Sequence, residues 1–500
     1  MKNIFVIISM FLCLSLWGQN PLQQSVDEIV TDPTFAQAVV GVCVMDSNGN
    51  ILAGFNQEKK LIPASNMKLI STGAALHILG PEHTFETTLA HDGVIEDGVL
   101  KGNLYIIGGG DPTLGSKDSI ATPLEHTFAI WEKLLHNAGA RRIEGRIIGD
   151  GRYFEGPAEE PSWLWNDIGT YYGAGVTGLM FYENMQSFSV SAGPAVGSSV
   201  NVKPYYPDCP WMDFRYACST GVAGTGDQLY MYTSDLAPVA EIRGTFGVDR
   251  AAKKVDCANK FPEYTCAHYF AEHLRRKGIS CSEGAADFKL VTDWMSDEES
   301  SSRELTVLGS SFSPTLERIA FETNHASNNV YAETLFRTLG KTLRSSACYD
   351  SSYVAINDAF AELGMTGLKG MKIQDGSGLS RKNLISPEAL CHFLYAMSGS
   401  PAFDIFLNSL PSPGYTGTLE YNMKGQPADL RSRVKVKSGS MEGVRCYSGY
   451  ILPSASASVE AKGLPEGTLI ISIMTNNCTS PTWKVRPLLD RLMVALARSN

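Results

Sequence analysis

The chain has 500 residues, 44% of them apolar and 19% charged, with a formal net charge of -10. That length supports two or three folding units with ample core, and an ordinary globular composition without low-complexity tracts excludes disorder as the organising state. The acidic balance leaves no basic stripe to displace counterions, so nucleic acid is excluded as a partner.

Residues 1–18 stand apart. Lys2 is followed by an apolar run from Ile4 to Trp17, and small Gly18 precedes polar Gln19 and Asn20. This pattern predicts a secretory signal peptide, its run being shorter than the ~20 residues of a spanning helix. No second run of spanning length follows, so the expectation is an exported protein without an integral membrane span once the signal is cleaved. Cys13 follows Met10, Phe11 and Leu12 rather than the small residues of a lipoprotein signal. Export permits disulfides, and Cys209/Cys218 and Cys257/Cys266 lie in Pro- and Asp-containing stretches suited to short loops, with the pairing left open. Cys43, in a strand pattern, and Cys391, in a helical one, read as buried free thiols.

From Ala38 to Phe55 two strand-like runs flank the segment Asp46 to Asn50, which predicts a hairpin with an Asn-Gly turn. A helical stretch then begins near Pro63-Ala64-Ser65 and reaches Leu79, where Gly80-Pro81 ends it. Residues 84–303 change texture to Gly-rich, strand-like segments and loops, among them Gly108-Gly109-Gly110 and the aromatic patch Trp163 to Tyr172. This reads as one or two small β-rich inserted modules closed by a polar, acidic return linker from Asp293 to Arg303. Helical patterns resume over Ser313 to Thr323, Asn324 to Gly340 and Pro387 to Met397. Strands are expected over Val434 to Ser440, Tyr447 to Leu452 and Leu469 to Met474, with a closing helix from Trp483 to Arg498. Hairpin and helix at the front, strands and helix at the back, give an α/β fold of the α+β kind. Its antiparallel sheet is assembled from both ends of the chain (19–83 and 304–500) and interrupted by the insertion 84–303.

Three short strings carry the chemistry: Ser65-Asn66-Met67-Lys68, Ser327-Asn328-Asn329 and Lys437-Ser438-Gly439. In this order they read as SxxK, SxN and KSG, the parts of a serine acyl-transferase whose base is a lysine. Ser65 is expected at a helix N-terminus, where N–H groups favour developing negative charge, with Lys68 facing the same side. A serine hydroxyl needs a base to take its proton. Lysine serves only if its charged form is disfavoured by desolvation or a nearby cation, and Lys437 is the cation expected to do this while holding a substrate carboxylate. Ser327 is expected to relay a proton to the leaving amine, and Asn329 to bind the substrate amide and orient Lys68. The backbone N–H groups of Ser65 and Ser440 would form the oxyanion hole. A second SxxK at Ser432 to Lys435 falls on an expected strand, and a second SxN at Ser199 to Asn201 lacks a following helix, so both are decoys. The histidines show no HExxH or paired metal spacing and no GxSxG elbow is present, so neither metal nor cofactor is implied. His77 and His392 read as packing or surface residues. The Gly108 to Gly110 run, lacking a GK[ST] ending, reads as a tight turn, and the aromatic patch as core with a glycan-facing groove as the alternative.

With these residues in hand, the chain resembles the D-alanyl-D-alanine carboxypeptidase/endopeptidase family of low-molecular-mass class C penicillin-binding proteins (peptidase family S13). The resemblance spans nearly the whole mature chain. It rests on Pro63 to Lys68, Gly109 to Leu114, Ser327 to Glu333, Asp375 to Arg381 and Lys437 to Ser440, and on the 259 positions that separate 68 from 327. It implies a penicillin-binding, transpeptidase-like domain at the periplasm or cell surface. It also implies cleavage of D-alanine from peptidoglycan stem peptides, or of the cross-bridges between them, through an acyl-enzyme on Ser65 that penicillins also form. It further implies that Asp111, Arg381 and Met441 recognise the substrate's side chain, and that Ser438, Gly439 and Ser440 line the substrate. Two departures stand out: Asn328 where the family commonly has aspartate, and Ser438 where it commonly has threonine. The alternatives are a β-lactamase or esterase on the same motifs, and a catalytically silent wall-binding protein.

Overall fold

The computed structural model describes residues 20–291, 304–365, 370–454 and 463–500. The expected signal peptide and the return linker lie outside the described residues. The chain divides into two compact units. One is drawn from Met1–Met67, Phe360–Ile373 and Asn383–Asn500, the other from Lys68–Ala359 and Gln374–Lys382.

The first unit is built on a five-stranded antiparallel sheet. The hairpin strands β1 (Val39–Met45) and β2 (Ile51–Phe55) come from the front of the chain. The strands β3 (Val434–Met441), β4 (Val444–Ile451) and β5 (Leu469–Asn476) come from the back, and the spatial order is β2-β1-β5-β4-β3. Asp46 makes the hairpin turn by accepting from the backbone N–H groups of Asn48 at 2.9 Å and Asn50 at 2.8 Å, while Gly49 takes the positive φ of 85° that the turn requires. Strand alternation sends Val40, Val42, Val44, Val434, Val436, Ile471 and Ile473 into one core, which the helices Pro21–Val30 and Thr482–Arg498 close with Val26, Leu489 and Met493. The helix Pro387–Met397 covers the other face. It starts where expected because Ser386 caps Ala389 N–H at 3.2 Å and Pro387 stands at N1. Its Cys391 thiol meets the Cys43 carbonyl at 3.7 Å, and both cysteines are buried free thiols as the sequence suggested.

The second unit carries the stretch read as β-rich. Its larger sheet orders Ala285–Asp287, Ile147–Asp150, Leu104–Gly108, Glu86–His91 and Thr306–Phe312, and smaller sheets surround it. Two helices, Leu124–Asn137 and Pro262–Arg276, were not expected. They pack Phe128, Trp131, Phe270 and Leu274 with Ile106 and Ile147 into one core, so helices accompany the strands of this stretch. Cys209, Cys218, Cys257 and Cys266 are free thiols rather than disulfide partners. Cys257 lies on the strand Lys253–Ala258, and Cys266 lies inside a helix, buried in that core as an apolar residue.

The helices Leu316–His325 and Asn329–Arg344 each begin later than the periodicity suggested. Between them Ser327 takes φ 62°, and the Asn328 side chain accepts from Tyr331 N–H at 3.2 Å as an N-cap. The SxN string therefore occupies the break ahead of a helix. No helix among the described residues is long and apolar enough to cross a membrane.

Candidate active site

In the first unit, Ala64–Asn66 forms a 3-10 turn that runs straight into the helix Met67–Leu79. Ser65 thus precedes the helix whose leading N–H groups lack intrahelical partners. Ala64 is held at φ 46°, a left-handed conformation that costs a residue with a side chain about 1–2 kcal/mol. The turn is fastened to the sheet. Asn66 Nδ2 donates to Ser448 Oγ at 2.7 Å, and Ser448 Oγ donates to Ser472 Oγ at 3.0 Å, a polar ladder across β4 and β5. Gly439 lies against the same turn: a Cβ there would stand 2.6 Å from the Pro63 carbonyl oxygen and 3.1 Å from Asn66 N. The glycine of the KSG string is thus required by close approach of strand to turn.

On β3, Lys437 is fully buried and its Nζ donates to the Ser438 carbonyl at 2.9 Å. Ser438 Oγ donates to Thr418 Oγ1 at 2.8 Å, so serine in place of threonine keeps a bonded hydroxyl. Ser440 is exposed, and Met441 closes the strand opposite Val444.

The second unit gathers Lys68 and Asn329. Lys68 is fully buried, and its Nζ donates to Asn329 Oδ1 at 2.6 Å and to the Ser377 carbonyl at 2.7 Å. Burial drives its pKa down to about 7, against the pull of the Glu333 and Asp375 carboxylates. Desolvation is the largest cause of this lowering, and a lysine near 7 has the pKa that a general base needs at neutral pH. Asn329 is fixed from its other end, Nδ2 donating to the Tyr172 carbonyl at 2.8 Å. The loop after Tyr172 is pinned in turn by Lys260, a buried lysine that donates to the carbonyls of Gly173 at 3.2 Å and Ala174 at 3.1 Å and to Glu159 at 2.5 Å.

Asn328, one of the two departures from the family pattern, has a local reason. Its Nδ2 donates at 2.7 Å to Glu183, a carboxyl that burial pushes up to about 7. An aspartate would set two carboxyls against each other there. Glu183 sits in a run, Tyr182-Glu183-Asn184, whose φ angles are 52°, 55° and 52°.

Asp111 and Arg381 lie in the second unit and Met441 in the first. Asp111 follows the tight turn at Gly110 (φ 91°). Burial pushes its carboxyl up to about 6, opposed by bonds from Thr113 N at 2.8 Å and Thr113 Oγ1 at 2.7 Å. Arg381 acts electrostatically on Asp167, which also accepts from Tyr172 OH at 3.2 Å. The aromatic patch divides: Trp163 is buried and donates to Asp375 Oδ2 at 2.8 Å, while Trp165 and Tyr171 are exposed. Of the decoys, Ser432 lies in the short helix Ala428–Arg433 rather than on a strand, and Lys435 follows on β3, so the two share no helix face. Asn201 opens the strand Asn201–Tyr206.

Sequence reasoning gave no role to Asn66, Ser448, Ser472, Glu333, Asp375 or Lys260. One signal was available: Asn329, Glu333 and Arg337 recur every four residues, a polar stripe of which Glu333 and Arg337 are buried.

The model of the D-Ala-D-Ala carboxypeptidase 3 (S13) family matches residues 22–490. A D-alanyl-D-alanine carboxypeptidase of Actinomadura sp. (strain R39) is 27% identical over 476 residues, covering 92% of this chain and 82% of that protein. The D-alanyl-D-alanine carboxypeptidase DacB of Haemophilus influenzae is 23% identical over 426 residues, 82% of each chain. The crystal structure of penicillin binding protein 4 (dacB) from Haemophilus influenzae shares the fold with a TM-score of 0.77 at 20% identity, covering 95% of this chain and 98% of that one. With the match running from residue 22 to residue 490, the chain belongs to the D-Ala-D-Ala carboxypeptidase 3 (S13) family.

Proposed function

We propose that the protein is a serine-type D-Ala-D-Ala carboxypeptidase and DD-endopeptidase that acts on peptidoglycan stem peptides and is acylated by β-lactams at the same serine. Ser65 Oγ attacks the carbonyl carbon of the penultimate D-alanine while Lys68 takes its proton. The backbone N–H groups of Ser65 and Ser440 receive the oxyanion. Ser327 passes a proton to the leaving amine, releasing D-alanine or the cross-linked strand, and water then hydrolyses the acyl-enzyme. Lys437 holds the substrate carboxylate, with Ser438 and Gly439 along the same strand, and Asn329 binds the substrate amide. Asp111, Arg381 and Met441 recognise the side chain of the stem peptide.

The observation that carries this reading is Lys68, a buried lysine three residues from Ser65, brought to about 7 and held by an asparagine of the second string. No observation favours the β-lactamase or esterase reading, or the silent wall-binding one. We further propose that residues 1–18 are a signal peptide directing the chain to the periplasm or cell surface, and that residues 84–303 are an insertion into a transpeptidase-like domain formed by 19–83 and 304–500.

Mass analysis of peptidoglycan fragments after incubation with wild type and Ser65→Ala tests the activity. Wild type should release D-alanine or split cross-linked dimers, and the variant neither. Product formation by Ser65→Ala would overturn the assignment, and absence of product from wild type would overturn the activity.

A further inference from the structure

The stripe Asn329, Glu333 and Arg337 poses a question that the mechanism above does not answer. Glu333 is 1% exposed, and its Oε1 accepts from Ser377 N–H at 2.7 Å while its Oε2 accepts from Gly376 N–H at 3.2 Å. The same short backbone serves the base. The Ser377 carbonyl accepts from Lys68 Nζ at 2.7 Å, and the Gly376 carbonyl accepts from Ser71 Oγ at 2.5 Å, one turn further along the lysine's helix. Asp375 holds the rest of the loop, accepting from Gly378 N–H at 2.8 Å, Ser380 N–H at 2.6 Å and Trp163 Nε1 at 2.8 Å.

The loop lies flat on the helix. A Cβ on Gly376 would be 2.4 Å from Phe336 Cβ and 2.6 Å from the Ala332 carbonyl oxygen, so no side chain can steer this segment. Its course is set by the two carboxyl groups. Both oxygens of Glu333 accept from peptide N–H groups, so besides its direct electrostatic pull on Lys68 it reaches Nζ through the Ser377 peptide.

We propose that Glu333 is a positioning residue for the general base: by gripping the N–H groups of Gly376 and Ser377 it aims the Ser377 carbonyl at Lys68 Nζ and keeps the amine in register with Asn329. This inference rests on the reading of Lys68 as the base. It gives a use to two stretches, the end of Ser327 to Glu333 and the loop Asp375 to Arg381, that the proton transfer itself leaves idle.

The charged and titratable groups around Glu333 are Lys68 on its helix, Asp375 in the loop, Arg337 one turn along its own helix and Tyr349 on the next. Burial and the charge of Asp375 push the Glu333 carboxyl well above its ordinary range. Glutamine is its near-isostere, neutral and still offering a carbonyl oxygen to Ser377 N–H. Methionine has the same reach and no acceptor.

The test is the rate of acylation of the full chain by a chromogenic β-lactam, resolved into its maximal rate and its half-saturating concentration, for wild type, Glu333→Met and Glu333→Gln. Loss of aim at the base should cost Glu333→Met about 100-fold in maximal rate with the half-saturating concentration within about twofold, since the substrate-binding strand is untouched. Glu333→Gln should recover to within about threefold of wild type. A Glu333→Met protein as fast as wild type, a Gln variant as slow as Met, or a loss confined to the half-saturating concentration would overturn the proposal. If Glu333→Met does not fold, Glu333→Asp decides. It withdraws the carboxyl by about 1.5 Å, and a rate about tenfold down supports the proposal, whereas a wild-type rate contradicts it. A wild-type protein that is not acylated at all contradicts the proposed function instead.

Discussion

The two units hold their share of the motif residues by different physics. In the first, position comes mainly from strand register, with one buried ladder of Asn66, Ser448 and Ser472 fastening the turn. Ser65 rides on a turn fastened to a sheet, and Lys437, Ser438 and Gly439 are fixed by the register of β3 with β4, Lys437 opposite Ser448 and Gly439 opposite Cys446. In the second, position comes from buried polar side chains. Lys68, Asn329, Glu333, Asp375 and Trp163 form a hydrogen-bonded set whose members come from four separated stretches of chain. A sheet position held by strand register depends little on its side chain as long as the strand pairs. A buried polar network tolerates little, because every unpaired member bears the full cost of its lost hydration.

The comparison breaks most sharply at Lys68. Lys68→Met removes the base and should slow penicillin acylation by about 10²–10⁴-fold, with the folded state retained as judged by circular dichroism. In wild type the acylation rate should rise with pH through about 7, because the lysine becomes a base as it loses its proton. A rate independent of pH between 5 and 9 would contradict the role.

On the sheet side, Gly439→Ala drives a methyl group to 2.6 Å from the Pro63 carbonyl oxygen. Backbone must move, at a cost of about 3 kcal/mol, and calorimetry should show a lowered melting temperature alongside slowed acylation. A variant as stable and as fast as wild type would mean that strand and turn are not in contact.

Asn328→Asp tests whether the polar network tolerates one more carboxyl. Glu183 has its pKa at about 7 in the folded chain against 4.5 ordinarily, so the folded state binds that proton more tightly. The stability contribution of Glu183 then falls as pH rises from about 4.5 to about 7. A second carboxyl at 328 deepens the fall. Melting curves should show the variant close to wild type at pH 5 and about 1–3 kcal/mol less stable at pH 8. The reverse order of pH would refute this account of Asn328.

The smallest effect is expected at Ala64. Its left-handed φ suits glycine, so Ala64→Gly should raise stability by about 1 kcal/mol in denaturant titrations. A loss of stability would show that the Ala64 methyl group matters more than its backbone strain.

What the sequence disclosed follows the same division. The hairpin, the helix Pro387–Met397 and the strands β3 to β5 were legible because alternation and capping are local signals. The three strings were legible because their internal spacing is fixed by the helix starts and the strand that carry them. The partners that complete the network were not. Trp163 and Asp375 lie 212 positions apart and Asn66 and Ser448 lie 382 apart, and no local pattern joins them. The helix Pro262–Arg276 was missed although Pro262 at N1 announced it, because glycine-rich strands surround it in sequence. Cys266 looked like a disulfide partner for the same reason, and a helix interior makes it core instead.

The central claim is that Ser65 is the nucleophile and a desolvated Lys68 its base. Mass spectrometry of the intact protein after brief exposure to penicillin at pH 6, 7 and 8, followed by peptide mapping, tests both at once. One equivalent of adduct on the peptide that contains Ser65, accumulating faster at each higher pH, is the predicted result. An adduct on another residue, or a rate that does not change across this range, would contradict the account.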